Sequence, residues 1–467
     1  MSKIIFPKYV TKVIAQLQEA GFEAFAVGGC IRELLRDQKP KDWDITTNAL
    51  PEQIQEVFPK NFYTNTFGTV TALIDSQQVE ITTYRSEAKY SNKRHPDEVK
   101  FGVILEEDLK RRDFTMNAIA ADGTKIIDLF DGQADLKAGV IRAVGTAHDR
   151  FNEDALRMIR AIRFAAQLRM QIEPATWAAI VKNRALIQHL SQERIRDELM
   201  KMLNTDDPLR AIWLLFESGL LALILPELVA GVGVAQNKHH IYTVFFHNLL
   251  SMAFCPSSDP LVKLACLLHD VGKVRTKEGT GKDATFHRHE MVGADMTRDI
   301  MRRLKFSTDE IKRVTHLVRQ HMFYYNTGEI TDAGVRRIVR RIGNENIEDI
   351  MAVRVGDRMG SGVQKEKPYK LVELEKRIIE VQKDPITTSM MAIDGTDVMK
   401  QLALKPGRMI GVVLNTLLEE VLDDPKKNTV EYLTKRVGEL GPQALAGTLE
   451  EPAIMKEDQK EREKRVK

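Results

Sequence analysis

The chain has 467 residues, a formal net charge of +3 and 43% apolar residues, a length that predicts about three domains with buried cores of their own. So mild a positive charge permits a nucleic-acid partner without requiring one. The cysteines, Cys30, Cys255 and Cys266, sit in apolar or helical contexts without C-x-x-C pairing, which predicts reduced, buried thiols rather than a disulfide framework.

The N-terminal MSKIIFPKYV lacks the apolar run of a signal peptide. The most apolar region, 211–235, is interrupted by Glu217, Pro226 and Glu227, which argues against a membrane span. The expected setting is therefore the cytoplasm, with no membrane partner.

A helix is predicted over 7–20, because Val10, Val13, Ile14 and Leu17 recur at helical spacing before Gly21. It feeds EAFAVGGCIRELLRDQKPKDWDITT (23–47), which predicts an apolar strand (24–27), a Gly28-Gly29 turn, a helix (30–36), a loop, and a second strand carrying Asp42 and Asp44. Period-two alternation puts both aspartates on one face, where paired carboxylates suit a hard cation, Mg²⁺ above all. Glycines ahead of a helix let backbone N–H groups approach an anion. A Gly-Gly pair and a D-x-D string are each common on ordinary loops; their order and spacing predict a site for a nucleoside triphosphate and its metals.

A helix over 51–58 should follow, then a hairpin of strands 68–74 and 79–84, a mobile polar loop over 85–100, and a short strand over 125–129. Glu80, in the second hairpin strand, stands where a third carboxylate could face the metal pair, or where a strand meets solvent. In RRDFTMNAIA (111–120), Arg111 and Arg112 suit phosphate through their forked donors. Asp113 and Asn117 suit a ribose, although the string also fits a capped helix start.

Beyond residue 142 nearly every segment has helical periodicity and no strand is convincing. In FNEDALRMIRAIRFAAQL, Asp154, Arg157, Arg160 and Arg163 recur every three residues on one side, and Leu156, Ile159, Ile162 and Phe164 form the apolar side. An amphipathic surface helix with an Asp154–Arg157 salt bridge fits this pattern. So does a base reader: aspartate accepts from the exocyclic amine of cytosine or adenine, and arginine donates to the adjacent ring nitrogen. Uracil and guanine invert that pattern, and a good bidentate pair discriminates by roughly 1–3 kcal/mol, more where buried groups are left unpaired.

Gly28-Gly29 with Arg32, Asp42-x-Asp44, RRDFTMNA, EDALRMIRAIRF and ERIRDEL (193–199), in that order, resemble the motifs of class II tRNA nucleotidyltransferases, the CCA-adding enzymes, and of bacterial poly(A) polymerases. The resemblance spans residues 20–205. It implies an α+β fold: a small mixed-sheet nucleotidyltransferase head (1–142), then an elongated all-α arrangement of nucleotide-selecting neck (143–205), helical body (206–383) and C-terminal RNA-binding region (384–450), with a charged disordered tail (451–467). It assigns Asp42 and Asp44 to the catalytic Mg²⁺, and Glu80 stays the candidate third catalytic carboxylate. Gly29 and Arg32 go to the triphosphate and Arg112 to the nucleotide, and Gly28, Asp113 and Asn117 join them as nucleotide-binding candidates on their own residue chemistry. Asp154 and Arg157 would read the base, with Arg160 and Arg163 beside it. The implied partners are tRNA, CTP and ATP, and the implied reaction is attack of an RNA 3′-hydroxyl on the α-phosphate.

The loop holding Tyr90, Arg94, His95 and Pro96 resembles the flexible loop of enzymes that add the terminal A. NTFGTVTALI (65–74) lacks the basic string associated with poly(A) polymerases. Both favour full CCA addition, the loop over a CC-only enzyme and the missing string over a poly(A) polymerase; an A-adding specialist stays as the alternative.

The body carries a second set. His247, His269-Asp270 and Asp357 occur in the order H…HD…D, which resembles the HD metal-dependent phosphohydrolases and implies a divalent transition metal. His289 and His321 are placed for a second ion with Asp270 bridging, and Gly272 is the expected helix C-cap. His239 and His240 lie outside the pattern and are expected to be ordinary loop residues. An alternative of another class follows, an HD phosphohydrolase with a vestigial head. The C-terminal region predicts a Gly395-Thr396 turn, a helix over 397–402, a KPGR turn (405–408) suited to RNA backbone or to a packed hairpin, and a long apolar helix from Ile410.

Overall fold

The computed structural model describes residues 4–63, 68–88, 98–237, 241–323, 325, 328–362, 369–452 and 455. The chain divides into two compact units: Met1–Val234 with Ser258–Leu261 and Arg298–Ile311, and Ala235–Ser257 with Val262–Thr297 and Lys312–Lys467.

The first unit is built on short apolar strands. β1 (Ala24–Val27) is buried at every position, as expected of a central strand covered on both faces. It lies antiparallel to β2 (Asp44–Thr47), with Ala24 opposite Thr47. The remaining strands are β3 (Asn61–Tyr63), β4 (Thr69–Ile74), β5 (Gln77–Thr83), β6 (Arg85–Ala88), β7 (Glu98–Phe101), β8 (Ile119–Ala121) and β9 (Ile126–Asp128). They form a seven-stranded sheet of order β3-β4-β5-β2-β1-β8-β9 and a separate β6-β7 pair. β4 and β5 join through Asp75 and Ser76, with φ of 50° and 64°, left-handed values that match the twist of a two-residue hairpin. The helix Lys8–Glu19 packs Val10, Val13, Ile14 and Leu17 into a core shared with Ile45, Val70 and Ile81.

The structure corrects several expectations. β2 begins at Asp44, so Asp42 lies two residues before the strand rather than on it. The polar stretch 85–100 is a strand pair at its flanks, with Arg85 opposite Phe101; Tyr90, Arg94, His95 and Pro96 lie outside the described residues, as do His239 and His240. β10 (Val140–Ile141) pairs parallel with β11 (Gln171–Ile172), and β11 lies within sequence where no strand is convincing. The long helix expected from Asn152 is two, Ala147–Glu153 and Leu156–Leu168. At the break Asp154 takes an extended conformation, φ −139° and ψ 104°, and its Oδ1 accepts from the Leu156 N–H at 3.0 Å. A short carboxylate competes for backbone donors in this way and favours helix ends over helix interiors.

The second unit is helical among its described residues. The helices Val244–Ala253 and Ile347–Gly360 approach closely because a Cβ on Gly356 would overlap the Ser251 carbonyl and one on Gly360 the Ser251 side chain. Gly272 is not a C-cap: its φ is −64° and it precedes the short helix Lys273–Thr276. A Cβ there would overlap the His289 carbonyl, so close backbone approach is what requires glycine. Gly395 and Thr396 open the helix Gly395–Leu402 rather than a turn, and Asp394 caps it by accepting from Thr396 N–H at 2.7 Å. That helix shares a core with Arg408–Asp423 and Val430–Leu445.

Candidate functional site

In the head, β2 and β5 run parallel with Asp44 opposite Glu80, so the two carboxylates stand on neighbouring strands at one level. Asp42, Asp44 and Glu80 are all exposed. Desolvation at its crowded setting raises the Asp44 carboxyl above its ordinary range, the charges of Glu80 and Asp42 raise it further, and Arg112 opposes them. Clustered carboxylates only partly offset by one arginine fit a hard divalent cation such as Mg²⁺ by donor chemistry and by charge. Gly28 closes the site from the other side. Its φ is +82°, and a Cβ there would sit 3.2 Å from Arg112 Nη1 and 3.9 Å from Asp44 Oδ2.

Arg112 is held by Asp108, whose Oδ2 lies 3.2 Å from Nη2, while Arg111 Nη2 reaches Asp108 Oδ1 at 2.7 Å. Asp108 is buried, and Thr46 Oγ1 donates to its Oδ2 at 3.2 Å. This residue was not singled out from the sequence, although its spacing ahead of Arg111 and Arg112 in LEEDLKRR is that of a helical ion pair.

Arg32, Asn117, Asp113 and Arg160 form one chain of contacts. Arg32 Nη1 donates to Asn117 Oδ1 at 2.7 Å, Asn117 Nδ2 to Asp113 Oδ1 at 2.9 Å, and Arg160 Nε to Asp113 Oδ2 at 2.9 Å. Burial would raise the Asp113 carboxyl, but the Arg160 charge and the Asn117 hydrogen bond hold it at about 2. Phe164, expected only to fill the apolar side, faces the guanidiniums of Arg32, Arg160 and Arg163 at 5.0, 5.3 and 4.1 Å from its ring centre, within cation–π range. Arg163 pairs with buried Glu198 at 2.6 Å. Arg32, Asp113, Asn117, Arg160 and Arg163 are thus joined by these bonds or through the Phe164 ring, while Arg112 is held apart from them by Asp108.

Asp154 and Arg157 are not salt-bridged to each other. Arg157 Nη1 donates to Glu153 Oε2 and Nη2 to the Arg111 carbonyl, each at 2.7 Å. Asp154 is gripped by Arg194, which the sequence shows only as part of ERIRDEL (193–199), with no role of its own.

The second unit gathers the other predicted set. His247, His269, Asp270, His289 and His321 are buried, and Asp357 joins them. Asp270 Oδ2 lies 3.2 Å from His247 Nε2 and 3.4 Å from His269 Nε2; its Oδ1 lies 3.3 Å from His289 Nε2 and 3.7 Å from His321 Nε2. Asp357 Oδ1 is 3.3 Å from His247 Nε2. Nδ1 of His269, His289 and His321 meets a backbone carbonyl three residues earlier, at 2.7, 2.8 and 2.6 Å. Such bonds fix the tautomer and aim the Nε2 lone pair inward, as for metal-binding histidines. Both Asp270 oxygens and His289 Nε2 are buried without a well-directed hydrogen bond among the described residues. Lys273 Nζ lies 2.5 Å from Asp270 Oδ2 and donates to Gln236 Oε1 at 2.7 Å. Imidazole and carboxylate donors converging around buried, under-satisfied atoms fit a divalent transition metal. Burial opposes protonation of His269, yet Asp270 and Asp357 outweigh it and raise this imidazole to about 10, so an ion bound at its Nε2 would take the place of a proton.

Residues 24–142 match the family model for the poly A polymerase head domain, 169–231 the "Probable RNA and SrmB-binding site of polymerase A", and 287–437 the tRNA nucleotidyltransferase domain 2. The CCA-adding enzyme of Pediococcus pentosaceus is 33% identical over 431 residues, 92% of this chain and 96% of the relative. The chain belongs to the CCA-adding enzyme family. Within that family, the enzyme of Lactobacillus delbrueckii subsp. bulgaricus is 52% identical over 192 residues, 41% of this chain and 48% of the relative. In that alignment the chain spans about half the length of the curated relative it matches. The crystal structure of the Bacillus stearothermophilus CCA-adding enzyme in complex with CTP superposes with a TM-score of 0.72 at 27% identity, covering 95% of this chain and all of that one. In this chain the matched head domain carries the mixed sheet, and the residues after it are largely helical. No helix among the described residues is long and apolar enough to cross a membrane.

Proposed function

We propose that this chain adds C, C and A to the 3′ end of tRNA from CTP and ATP without a nucleic-acid template. The observation that carries the reading is the parallel register that sets Asp44 beside Glu80, with Gly28 and Arg112 against Asp44. Asp42, Asp44 and Glu80 would hold Mg²⁺, which when bound lowers the pKa of the attacking hydroxyl and offsets charge on the attacking and leaving oxygens. Gly28, Gly29 and Arg32 would seat the triphosphate, and Arg112 the nucleotide. Asp154 and Arg157 would select a base with an exocyclic amine, and Arg160 and Arg163 would hold the neck against it. The 3′-oxygen bonds to the α-phosphorus as the bond to pyrophosphate breaks. A cytoplasmic setting belongs to the same proposal and accords with three buried, free thiols.

A tRNA transcript ending at the discriminator base should gain two nucleotides with CTP alone and three with CTP and ATP. No incorporation would overturn the proposal, and long ATP-only tails on unrelated RNA would identify a poly(A) polymerase.

The buried histidine–aspartate cluster supports a second activity, a metal-dependent phosphohydrolase. Asp270, whose two oxygens face different histidine pairs, is placed to bridge two ions. Release of phosphate from a phosphomonoester or a 2′,3′-cyclic nucleotide, lost on chelation and restored by Mn²⁺, Co²⁺ or Ni²⁺, tests it.

A further inference from the structure

We propose that Arg194 is a positioning residue that sets nucleotide selectivity by deciding which acceptor of Asp154 is left for the incoming base. The inference rests on the reading of Asp154 as a base reader. Asp154 lies in extended conformation between two helices, so its carboxylate is oriented by its partners rather than by a helix surface. Arg194 comes from the first turn of another helix, Gln192–Leu203. Its Nη1 donates to Asp154 Oδ1 at 3.2 Å and its Nη2 to Oδ2 at 2.7 Å. Two parallel bonds of this kind fix the plane of a carboxylate as well as its place.

The acceptor count then matters. Each carboxylate oxygen accepts about two hydrogen bonds. Oδ1 has two donors, Arg194 Nη1 and the Leu156 N–H at 3.0 Å. Oδ2 has Arg194 Nη2 as its donor among the described residues and keeps one acceptor position. The pair remains reachable, with side-chain exposures of 27% for Arg194 and 19% for Asp154.

One open acceptor in a fixed plane matches one N–H of an exocyclic amine, which cytosine and adenine supply. The carbonyl of uracil or guanine at that place meets a lone pair, and the clamped carboxylate cannot turn away to relieve the clash. The Arg157 side chain is held by other groups, Glu153 and the Arg111 carbonyl, so the Arg194 clamp and the Arg157 anchors share no side-chain bond. A lysine at 194 would keep the positive charge without the two parallel bonds.

The test measures kcat/KM with the full chain for CTP and UTP on a tRNA ending at the discriminator base, and for ATP and GTP on a tRNA ending in CC, in the native protein, R194K and R194A. Selectivity for CTP over UTP should fall by about 10–100-fold in R194A, and R194K should not restore it. A merely structural role would lower all four values together, and an unchanged CTP/UTP ratio in either variant overturns the inference. Should R194A fail to fold, the R194K ratio decides. Failure of the native chain to add C or A would overturn the proposed function instead, a result distinct from a native enzyme whose variants keep full selectivity.

Discussion

Arg160 holds Asp113 through two nitrogens on a single oxygen, Nε at 2.9 Å and Nη2 at 2.7 Å from Oδ2, and so ties the helix Leu156–Leu168 to the RRDFTMNA loop. Asp113 is held at about 2, below the ordinary aspartate value of about 3.9. The folded state therefore favours the ionised form. The stabilisation is fully present above the unfolded pKa of about 4 and is lost as the pH falls through about 2. At about 1.4 kcal/mol per pKa unit, it amounts to roughly 2–3 kcal/mol. Urea unfolding at a series of pH values should show Asp113→Asn less stable than the native protein at neutral pH, with the difference shrinking toward pH ~2.

Asp44 behaves in the opposite way. Its carboxyl is raised by desolvation and by Glu80 and Asp42, so at neutral pH its charge works against folding. Asp44→Asn should abolish metal-dependent nucleotide addition, by on the order of 10²–10³-fold or more, while leaving the melting temperature unchanged or higher. Thermal melts without added metal, alongside the incorporation assay, separate the two effects. A fall in melting temperature together with activity would assign Asp44 to the fold instead.

Gly28 has φ +82° and ψ −131°, a region essentially reserved for glycine and worth about 1–3 kcal/mol of strain to other residues. Its added methyl would press on Arg112 Nη1 at 3.2 Å, the end of a side chain that can shift. Gly28→Ala should therefore destabilise by that amount and raise KM for CTP, because Arg112 moves. Denaturant titration and initial rates at varied CTP measure both.

What the sequence revealed follows from how local each determinant is. Helix Lys8–Glu19 and β1 are legible because their apolar positions repeat at the helical period or run unbroken between turn residues. The Arg194–Asp154 clamp joins positions forty residues apart and leaves no periodic trace. The three-residue spacing of Asp154, Arg157, Arg160 and Arg163 reads as one continuous helix, and only the cap from Leu156 N–H to Asp154 shows why it breaks. β8 was hidden because an apolar run as short as Ile119–Ala121 fits helix and strand equally. Gly272 looked like a helix terminator because close packing against His289 leaves the same letter in the sequence as a C-cap. Phe164 reads as part of the apolar side of its helix and is buried, yet its ring also faces the arginines of the site.

The buried cluster makes a prediction that depends on which ligand is removed. If His247, His269, Asp270, Asp357, His289 and His321 bind a divalent ion, adding that ion at about 100 times its Kd should stabilise the second unit by about 2.7 kcal/mol, and a chelator should reverse the gain. Asp270→Ala is the poorer probe, because it also strands the Lys273 ammonium, now 2.5 Å from Asp270 Oδ2. Breaking a buried pair from one side costs about 3–5 kcal/mol. His269→Ala removes an inward Nε2 and keeps that ion pair, so it should abolish the metal-induced rise in melting temperature while three-nucleotide addition to tRNA continues. The metal-induced rise surviving in His269→Ala would show that the ion binds elsewhere. Loss of nucleotide addition in the same folded variant would show that the cluster serves the head reaction rather than an activity of its own.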